Sequence, residues 1–169
     1  PGDPRDTESA RITRMRQVVA RRRETGAPLL AVCLSHQILA DGFGIDLVPL
    51  DAPHQGVQKT VPVFGEDASV GFYNTFTARV TPGTTTVGTA EVSADATSGD
   101  VYALRGERFA SIQGHLESIL SRDGIRTLER LAGHALAAGP GVNPIGDLAL
   151  ARGDWSPLRC TCAEPRETQ

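Results

Sequence analysis

The chain has 169 residues, of which 40% are hydrophobic, 22% charged and only 5% aromatic, and its formal net charge is −3. These values predict one soluble globular domain with an aliphatic core. The weakly negative charge argues against a nucleic-acid partner, and the lack of a long apolar run argues against a membrane span or a signal peptide. Three cysteines, an odd number, do not make a disulfide framework, so a reducing cytoplasm is the expected location.

The first predicted element is a helix near the start of the chain. Asp3 and Pro4 form a typical helix start, with Asp as the N-cap and Pro at the first helical position. Gly26 and Pro28 end the segment. Between these signals, apolar residues recur at helical spacing: Ile12, Met15, Val18 and Val19. This helix would lead directly into the strand that follows it.

The next stretch changes from a strand pattern to a helix pattern at a cysteine. Leu29–Val32 is a short apolar run that predicts a buried strand, and residues 34–39 have helical spacing. A strand that stops at Cys33 and turns at once into a helix has the outline of a nucleophile elbow, which needs small neighbours such as Ala31 and Ser35. The helix N-terminus would favour the thiolate. A buried core cysteine is the alternative that this stretch alone leaves open.

The middle of the chain is rich in predicted strands, and a helix follows them. The segments that alternate or run apolar are residues 45–50, 56–64, 70–76, 85–92, 101–104 and 109–113, with a polar turn at 65–67 joining the second to the third. Residues 121–137 return to a helix pattern, with an apolar face of Ile125, Leu128, Leu131, Ala135 and Leu136. The order predicts an α/β fold, with a mostly parallel central sheet flanked by helices and an antiparallel excursion. From residue 139 onward we expect a poorly ordered tail.

A second group of chemically active residues lies at the end of the last predicted strand. His115 and Glu117 are two apart, so in extended chain they project to the same side. The carboxylate can fix the tautomer of the imidazole and raise its basicity. A cysteine nucleophile needs such a base, and together the three groups form the generalised triad. Taken alone, a His-x-Glu pair is more often a surface pair.

Three separated motifs resemble those of class I glutamine amidotransferases. Residues 31–37 read Ala-Val-Cys-Leu-Ser-His-Gln and resemble the family's Gly-x-Cys-x-Gly-His-Gln elbow. Residues 113–118 read Gln-Gly-His-Leu-Glu-Ser and resemble Gln-x-His-Pro-Glu-Ser, and the opening Pro-Gly-Asp-Pro is similar to the end of the oxyanion loop. Residues 55–59 and 70–76 look most like the amidotransferase half of phenazine-type 2-amino-2-desoxyisochorismate synthases, relatives of anthranilate synthase.

The resemblance implies glutamine hydrolysis and assigns the roles. Cys33 would attack the side-chain amide carbon of glutamine, His115 would act as base and then as acid, and Glu117 would orient the imidazole. The backbone N–H groups of Gly2 and Leu34 would form the oxyanion hole.

The same resemblance implies how glutamine is held and where the ammonia goes. Gln37 would hold the amino-acid end of the substrate, and Thr75 and Phe76 would match the family's contacts to the same group. The ammonia would pass to a chorismate-utilising synthase, expected to be fused upstream. No cofactor or metal is expected in this chain, and Mg is expected only in the partner. Cys160 and Cys162 lack companion metal ligands at suitable spacing.

The sequence also departs from the family pattern. Ala31 and Ser35 replace the two elbow glycines, Gly114 stands where an aromatic is common, and Leu116 stands where proline is usual. Family domains begin with strands that precede the oxyanion loop, so residues 1–138 are expected to be a partial amidotransferase domain and a poor enzyme alone. The alternatives are a cysteine hydrolase for another γ-glutamyl substrate and a catalytically impaired interaction domain.

Overall fold

The computed structural model describes residues 2–137. The tail predicted from residue 139, together with Cys160 and Cys162, lies outside the described residues. The described elements follow in chain order: α1 (Ala10–Glu24), β1 (Leu29–Val32), α2 (Leu34–Asp41), β2 (Asp46–Pro49), β3 (Val57–Val63), β4 (Glu66–Phe72), β5 (Phe76–Arg79), β6 (Thr86–Val87), β7 (Ala90–Ala94), β8 (Val101–Gly106), β9 (Phe109–Ile112) and α3 (Gly124–Leu136). The α/β class is confirmed.

The first helix begins later than predicted. Its N-cap is Ser9, whose hydroxyl accepts the N–H of Ile12 at 3.5 Å, so the predicted start at Asp3 and Pro4 was wrong. The Asp3 carboxylate instead accepts the N–H of the residue two positions on, and the Asp6 carboxylate accepts two N–H groups in the same way. These local side-chain bonds hold residues 3–8 in turns and compete with the helical hydrogen bonds.

A five-stranded mixed sheet forms the centre, in the order β1-β9-β8-β7-β6. Strand β1 pairs parallel with β9, in a register from Leu29 opposite Phe109 to Val32 opposite Ile112. The pairs β9–β8, β8–β7 and β7–β6 are antiparallel. Two further antiparallel pairs, β2–β5 and β3–β4, lie outside this sheet. Within residues 2–137, β1 is therefore an edge strand, and the expectation that further strands precede the chain stays a prediction.

Two of the predicted strands have different boundaries in the structure. The hairpin turn between β3 and β4 is Phe64–Gly65, both at positive φ (51° and 86°). That geometry suits a two-residue hairpin loop, so Glu66 and Asp67 already belong to β4 rather than to a polar turn. Strand β4 ends at Phe72, and Phe76 opens β5 against β2. The predicted strand 85–92 is split at Gly88, whose φ is +56°, into β6 and β7.

Each face of the central sheet is covered by a separate apolar cluster. One cluster joins the sheet to α1 and α2 through residues such as Ile12 and Ile38, and it includes Phe109 of β9. The other joins the sheet to α3 and the β3–β4 hairpin, and it includes Ala110, the next residue of β9, and Leu131 of α3. Successive residues of β9 thus point to opposite faces, as strand geometry requires. The sheet is held as the middle layer of a three-layer domain.

The buried face of α3 is narrower than predicted. Leu131 and Ala135 are buried, but Ile125, Leu128 and Leu136 are 77%, 41% and 43% exposed. Close backbone contact fixes the rotation of this helix, because a Cβ on Gly124, its first residue, would lie 2.1 Å from the carbonyl oxygen of residue 116. The face in contact with the sheet is therefore the one that carries Gly124, so the larger apolar side chains remain outside.

A fully buried histidine lies between α2 and the sheet. His36 has no exposed surface, its Nδ1 is 2.9 Å from the hydroxyl of Ser111, and its Nε2 is 3.3 Å from the carbonyl oxygen of Val101. Because a carbonyl can only accept, Nε2 carries the proton and Nδ1 accepts the hydroxyl hydrogen of Ser111. Burial lowers the pKa of His36 from 6.5 to about 4.

This burial predicts a loss of stability in mild acid. Below pH 6.5 the unfolded chain protonates His36, whereas the folded chain does not until about pH 4. The free energy of unfolding should therefore fall across this window by about 3 kcal/mol because of this residue, and the loss should level off below it. Urea unfolding of the wild type and of His36→Gln, at several pH values, gives the difference curve. Parallel pH profiles for the two proteins would contradict the assignment.

Candidate active site

Cys33 occupies a strained turn between β1 and α2. Its φ of 52° and ψ of −107° are unusual for a residue with a side chain. Its N–H donates to the carbonyl of Ile112 at 2.9 Å, which continues the β1–β9 ladder, and its carbonyl accepts the N–H of Gln37 at 3.0 Å, which starts the helix. The strain is thus held from both sides. The structure has the strand-to-helix elbow that the sequence predicted, with the thiol at its apex.

Ser35 closes the elbow by a bond that the sequence did not reveal. The N–H groups of Leu29 and Cys33 donate to residues 108 and 112, so the N–H of Val32 points the other way, toward the open edge of β1. The hydroxyl of Ser35 accepts this N–H at 2.8 Å and donates to the carbonyl of Val32 at 2.9 Å. The serine that replaces a family glycine therefore satisfies a backbone group that has no strand partner among the described residues.

The environment of Cys33 disfavours its ionised form at rest. Burial raises the pKa of the thiol, and hydrogen bonds from the N–H of Leu34 and the amide of Gln113 lower it in part. The negative charge of Glu117 acts in the same direction as burial. At neutral pH the resting sulfur is therefore mostly a thiol, and a base must take its proton before it can act as a nucleophile.

His115 is held by a carboxylate, a backbone bond and an aromatic ring. Its Nδ1 is 2.7 Å from Oε1 of Glu117, and this hydrogen bond lowers the pKa of the Glu117 carboxyl. Its backbone N–H donates to the carbonyl of Gly71 at 2.8 Å. The ring of Tyr73 lies edge-on to the imidazole, with centroids 5.5 Å apart and planes at 90°. With Nδ1 bound to the carboxylate, Nε2 is the nitrogen left to act as a base.

Tyr73 and Gly71 both contact the loop that carries His115, and sequence reasoning did not single them out. Tyr73 also reaches Ser118, at 3.1 Å between the two hydroxyl oxygens, and so joins β4 to the loop that carries His115. Gly71 faces that loop so closely that a Cβ on it would lie 2.9 Å from Oγ of Ser118 and 3.0 Å from Cβ of Leu120. The only local signal was their place in the motif 70–76.

Packing against Val70 explains why position 114 is a glycine. A Cβ at this position would lie 2.8 Å from a methyl group of Val70. The side chain of Val70 thus occupies the space into which a larger residue at position 114 would project. Leu116, which replaces the family's proline, is 7% exposed and packs in the core. Both departures from the motif are therefore accommodated by local packing.

One cavity of about 670 Å³ gathers most of the predicted site residues. Its lining includes two of the three predicted catalytic side chains, both predicted oxyanion donors and all three predicted substrate contacts: Gly2, Cys33, Leu34, Gln37, Thr75, Phe76 and His115. Glu117 is not in the lining and reaches the cavity through His115. Arg11 and Met15 of α1 form part of the wall, and they were not predicted.

Buried amides form the floor of this cavity. The side-chain nitrogen of Gln37 donates to the backbone carbonyl of Phe76 at 2.5 Å and to Oε1 of Gln113 at 2.9 Å. The same carbonyl accepts a second bond from the amide of Asn74 at 2.9 Å, and Asn74 in turn contacts His54. The amide nitrogen of Gln37 is therefore used within the protein, so any contact of Gln37 with a substrate would be made by other atoms.

No described helix has the length and apolar character needed to cross a membrane. No group of three or more His, Cys, Asp or Glu side chains within residues 2–137 is arranged as a metal site. The expectation that this chain carries no cofactor stays a prediction.

The fold and the cavity lead to one protein family. The family model described as glutamine amidotransferase class-I matches residues 1–134, and the chain belongs to that family. A crystal structure of a glutamine amidotransferase from Thermotoga maritima has the same fold, with a TM-score of 0.55 and 13% identity over 90% of this chain and 66% of that chain. The resemblance seen in the motifs is thereby confirmed.

Two curated relatives carry a more specific name. The chain is 42% identical over 143 residues to "Anthranilate synthase, phenazine specific" of Pseudomonas fluorescens, and 40% identical over 146 residues to the protein of the same name from Pseudomonas chlororaphis. These matches cover 83% and 85% of this chain but only 22% and 23% of the relatives. The chain thus spans less than a quarter of their length.

The tight contact at Gly71 predicts that a glycine-to-alanine change there lowers stability, whereas the same change at Gly133 raises it. Gly71→Ala should lower the free energy of unfolding by about 1–2 kcal/mol, because the added Cβ displaces the loop at Ser118. Gly133→Ala is the matched control. Nothing lies within 4 Å of its Cβ position inside α3, so it should raise the same quantity by about 0.5–1 kcal/mol. Equal effects in urea unfolding would contradict the close approach.

Proposed function

We propose that this chain is a glutaminase domain that hydrolyses glutamine and supplies ammonia for the amination of chorismate. The observation that carries the proposal is that Cys33, in a strained elbow, and His115, oriented by a carboxylate, line one cavity. In this proposal Cys33, His115 and Glu117 form the catalytic triad. Family membership supports the reaction, and the names of the curated relatives support the destination of the ammonia.

The first half of the reaction forms a thioester. Nε2 of His115 takes the proton of the thiol as Sγ of Cys33 attacks the side-chain amide carbon of glutamine. The tetrahedral intermediate then collapses, the C–N bond breaks, and His115 returns the proton to the leaving nitrogen, which departs as ammonia. The raised pKa of the resting thiol supports the need for this base.

The second half returns the enzyme to its starting state. His115 takes a proton from water, the hydroxyl attacks the thioester carbon, and the C–S bond breaks. Sγ regains a proton as glutamate leaves. Glu117 stays ionised throughout and stabilises the imidazolium, which its lowered pKa supports.

The backbone around the elbow would stabilise the developing oxyanion. Leu34 is the first residue of α2, so its N–H is not used in the helical ladder, and Gly2 lies in the same cavity lining. Each such donor is worth about 3 kcal/mol of transition-state stabilisation. We assign the oxyanion hole to these two N–H groups.

The amino-acid end of glutamine would lie against β5 and the loop before it. Thr75 and Phe76 line the cavity there, and Phe76 has its carbonyl fixed by two amide donors. Gln37 supports this wall from below. In this proposal Gln37, Thr75 and Phe76 bind the substrate's α-amino and α-carboxylate groups.

The partner would be a chorismate-utilising synthase, an anthranilate synthase or a 2-amino-2-desoxyisochorismate synthase. Relatives more than four times the length of the matched segment bear an anthranilate synthase name, which supports a synthase fused upstream of residue 1. Mg would serve only that partner, and this chain would need no cofactor. A reduced sulfur nucleophile supports a cytoplasmic location.

Removal of the sulfur should abolish glutamine-dependent chemistry only. With the synthase partner present, Cys33→Ala should lower the rate of glutamate release on the order of 10⁴-fold, while amination with added ammonium salts continues. Cys160→Ala makes the same chemical change at a position without an assigned role and should keep wild-type glutamate release. Enzymatic glutamate assay and product chromatography give the two rates.

Two outcomes would contradict this function. A wild-type protein that uses ammonium but releases no glutamate from glutamine would be an inactive amidotransferase-like domain. Release of glutamate from γ-glutamyl peptides, with none from glutamine, would make it a cysteine hydrolase of another class.

A further inference from the structure

We propose that Gln113 is a positioning residue that stabilises the thiolate of Cys33 and links it to Gln37. This inference deepens the proposed function and rests on it, since it assigns a role within the same cavity. The sequence places Gln113 only at the first position of a motif, and its two hydrogen bonds, to Cys33 and to Gln37, point to a role. Its contacts give it a more definite task.

Gln113 lies beside the nucleophile because of the sheet register. Val32 pairs with Ile112 in the parallel β1–β9 ladder, so the next residues, Cys33 and Gln113, leave the sheet side by side. The backbone N–H of Gln113 donates to the carbonyl of Tyr102 at 2.8 Å, and the residue is 1% exposed. Its side-chain nitrogen is 3.6 Å from Sγ of Cys33, within the range of a hydrogen bond to sulfur.

The polarity of this amide is set by its neighbours. The carbonyl oxygen of Phe76 can only accept, so the side-chain nitrogen of Gln37 must face it. That nitrogen has a second hydrogen, which goes to Gln113, and the atom that receives it must be Oε1. The other end of the Gln113 amide, the Nε2 donor, therefore faces the sulfur. A backbone carbonyl thus orients a side chain two hydrogen bonds away.

This orientation matters for the charge on sulfur. An N–H donor stabilises a thiolate more than a thiol, whereas a turned amide would present its oxygen and repel the thiolate. Around Cys33, burial and the charge of Glu117 both oppose ionisation. Hydrogen bonds from the N–H of Leu34 and from the side-chain amide of Gln113 have the opposite effect and lower the pKa of the thiol. Gln113 thus stabilises the thiolate, and Gln37 holds the Gln113 amide in the orientation that does so.

A purely structural role would have a different signature. If Gln113 only filled the space below the cavity, a side chain of similar shape would lower stability without changing the ionisation of Cys33. Methionine has nearly the same length and no donor. The ionisation of Cys33 is therefore the quantity to measure, because it depends on the charge environment and requires no glutamine.

The experiment measures the rate of alkylation of Cys33 by iodoacetamide as a function of pH, in the full chain, with the modified peptide identified by mass spectrometry. Gln113→Met should raise the midpoint of the profile by about one pH unit or more, because a hydrogen bond to a charged group is lost. Gln17→Met is the matched control, since Gln17 is exposed on α1, and its midpoint should equal that of the wild type.

The link to Gln37 gives a second test. Gln37→Met frees the Gln113 amide to turn, so it should raise the midpoint by a smaller amount. The double variant should match Gln113→Met alone, because without the amide there is nothing left to orient. Additive shifts would overturn the orienting role of Gln37, and an unchanged midpoint in Gln113→Met would overturn the proposal itself.

A measurement on the wild type keeps the proposal testable if a variant fails to fold. In the ¹⁵N-labelled chain, the side-chain amide signals of Gln113 should titrate with the midpoint of the alkylation profile and should shift when Cys33 is alkylated. Side-chain amide signals that change neither with pH nor on alkylation of Cys33 would overturn the proposal. Glutamate release, measured separately, reports on the proposed function, so a chain with shifted midpoints and no glutaminase activity would contradict the function and not the contact.

Discussion

The parallel pairing of β1 with β9 is the interaction on which the site depends. It joins segments 80 residues apart, Leu29 with Phe109 through to Val32 with Ile112. Because parallel strands end at the same sheet edge, the residues that follow them emerge together. A slip of one residue in this register would turn every β9 side chain to the other face. The two apolar clusters, which take alternate residues of β9, resist that slip.

The site combines backbone strain with an unfavourable environment for charge. The positive φ of Cys33 is a strained conformation that disfavours the folded state. Burial of its thiol raises the pKa and disfavours the thiolate. The elbow is held by the ladder bond to Ile112, the helical bond from Gln37 and the hydroxyl of Ser35. In the proposed mechanism the thiolate forms only when His115 accepts the proton, so the sulfur stays a thiol at rest and its activation depends on the base.

The features of the site that could be predicted from the sequence are those set by residues close together in the chain. The elbow was predictable because the apolar period changes at one residue, Cys33. The His115–Glu117 contact was predicted for an extended chain, but it forms in a turn, where the N–H of Ser118 donates to the carbonyl of His115 at 3.2 Å. The turn at Asp6 was missed because side-chain bonds to nearby N–H groups competed with a helix start. The exposure of Ile125 was missed because helix rotation is set by close backbone contact of Gly124 with the loop before the helix, which the apolar pattern of α3 does not encode. The amide contact between Gln37 and Gln113 spans 76 residues, and no local pattern carries it.

The most direct test of the whole account is a cross-link between the sulfur and the imidazole. The bifunctional reagent 1,3-dibromoacetone alkylates a thiolate first and then an imidazole only if its three-carbon chain can reach one. After digestion of the treated protein, mass spectrometry should find the Cys33 peptide joined to the His115 peptide. A Cys33 peptide that carries only the hydrolysed single-ended adduct, or that is joined to His36 or His54, would contradict the convergence on which the account stands.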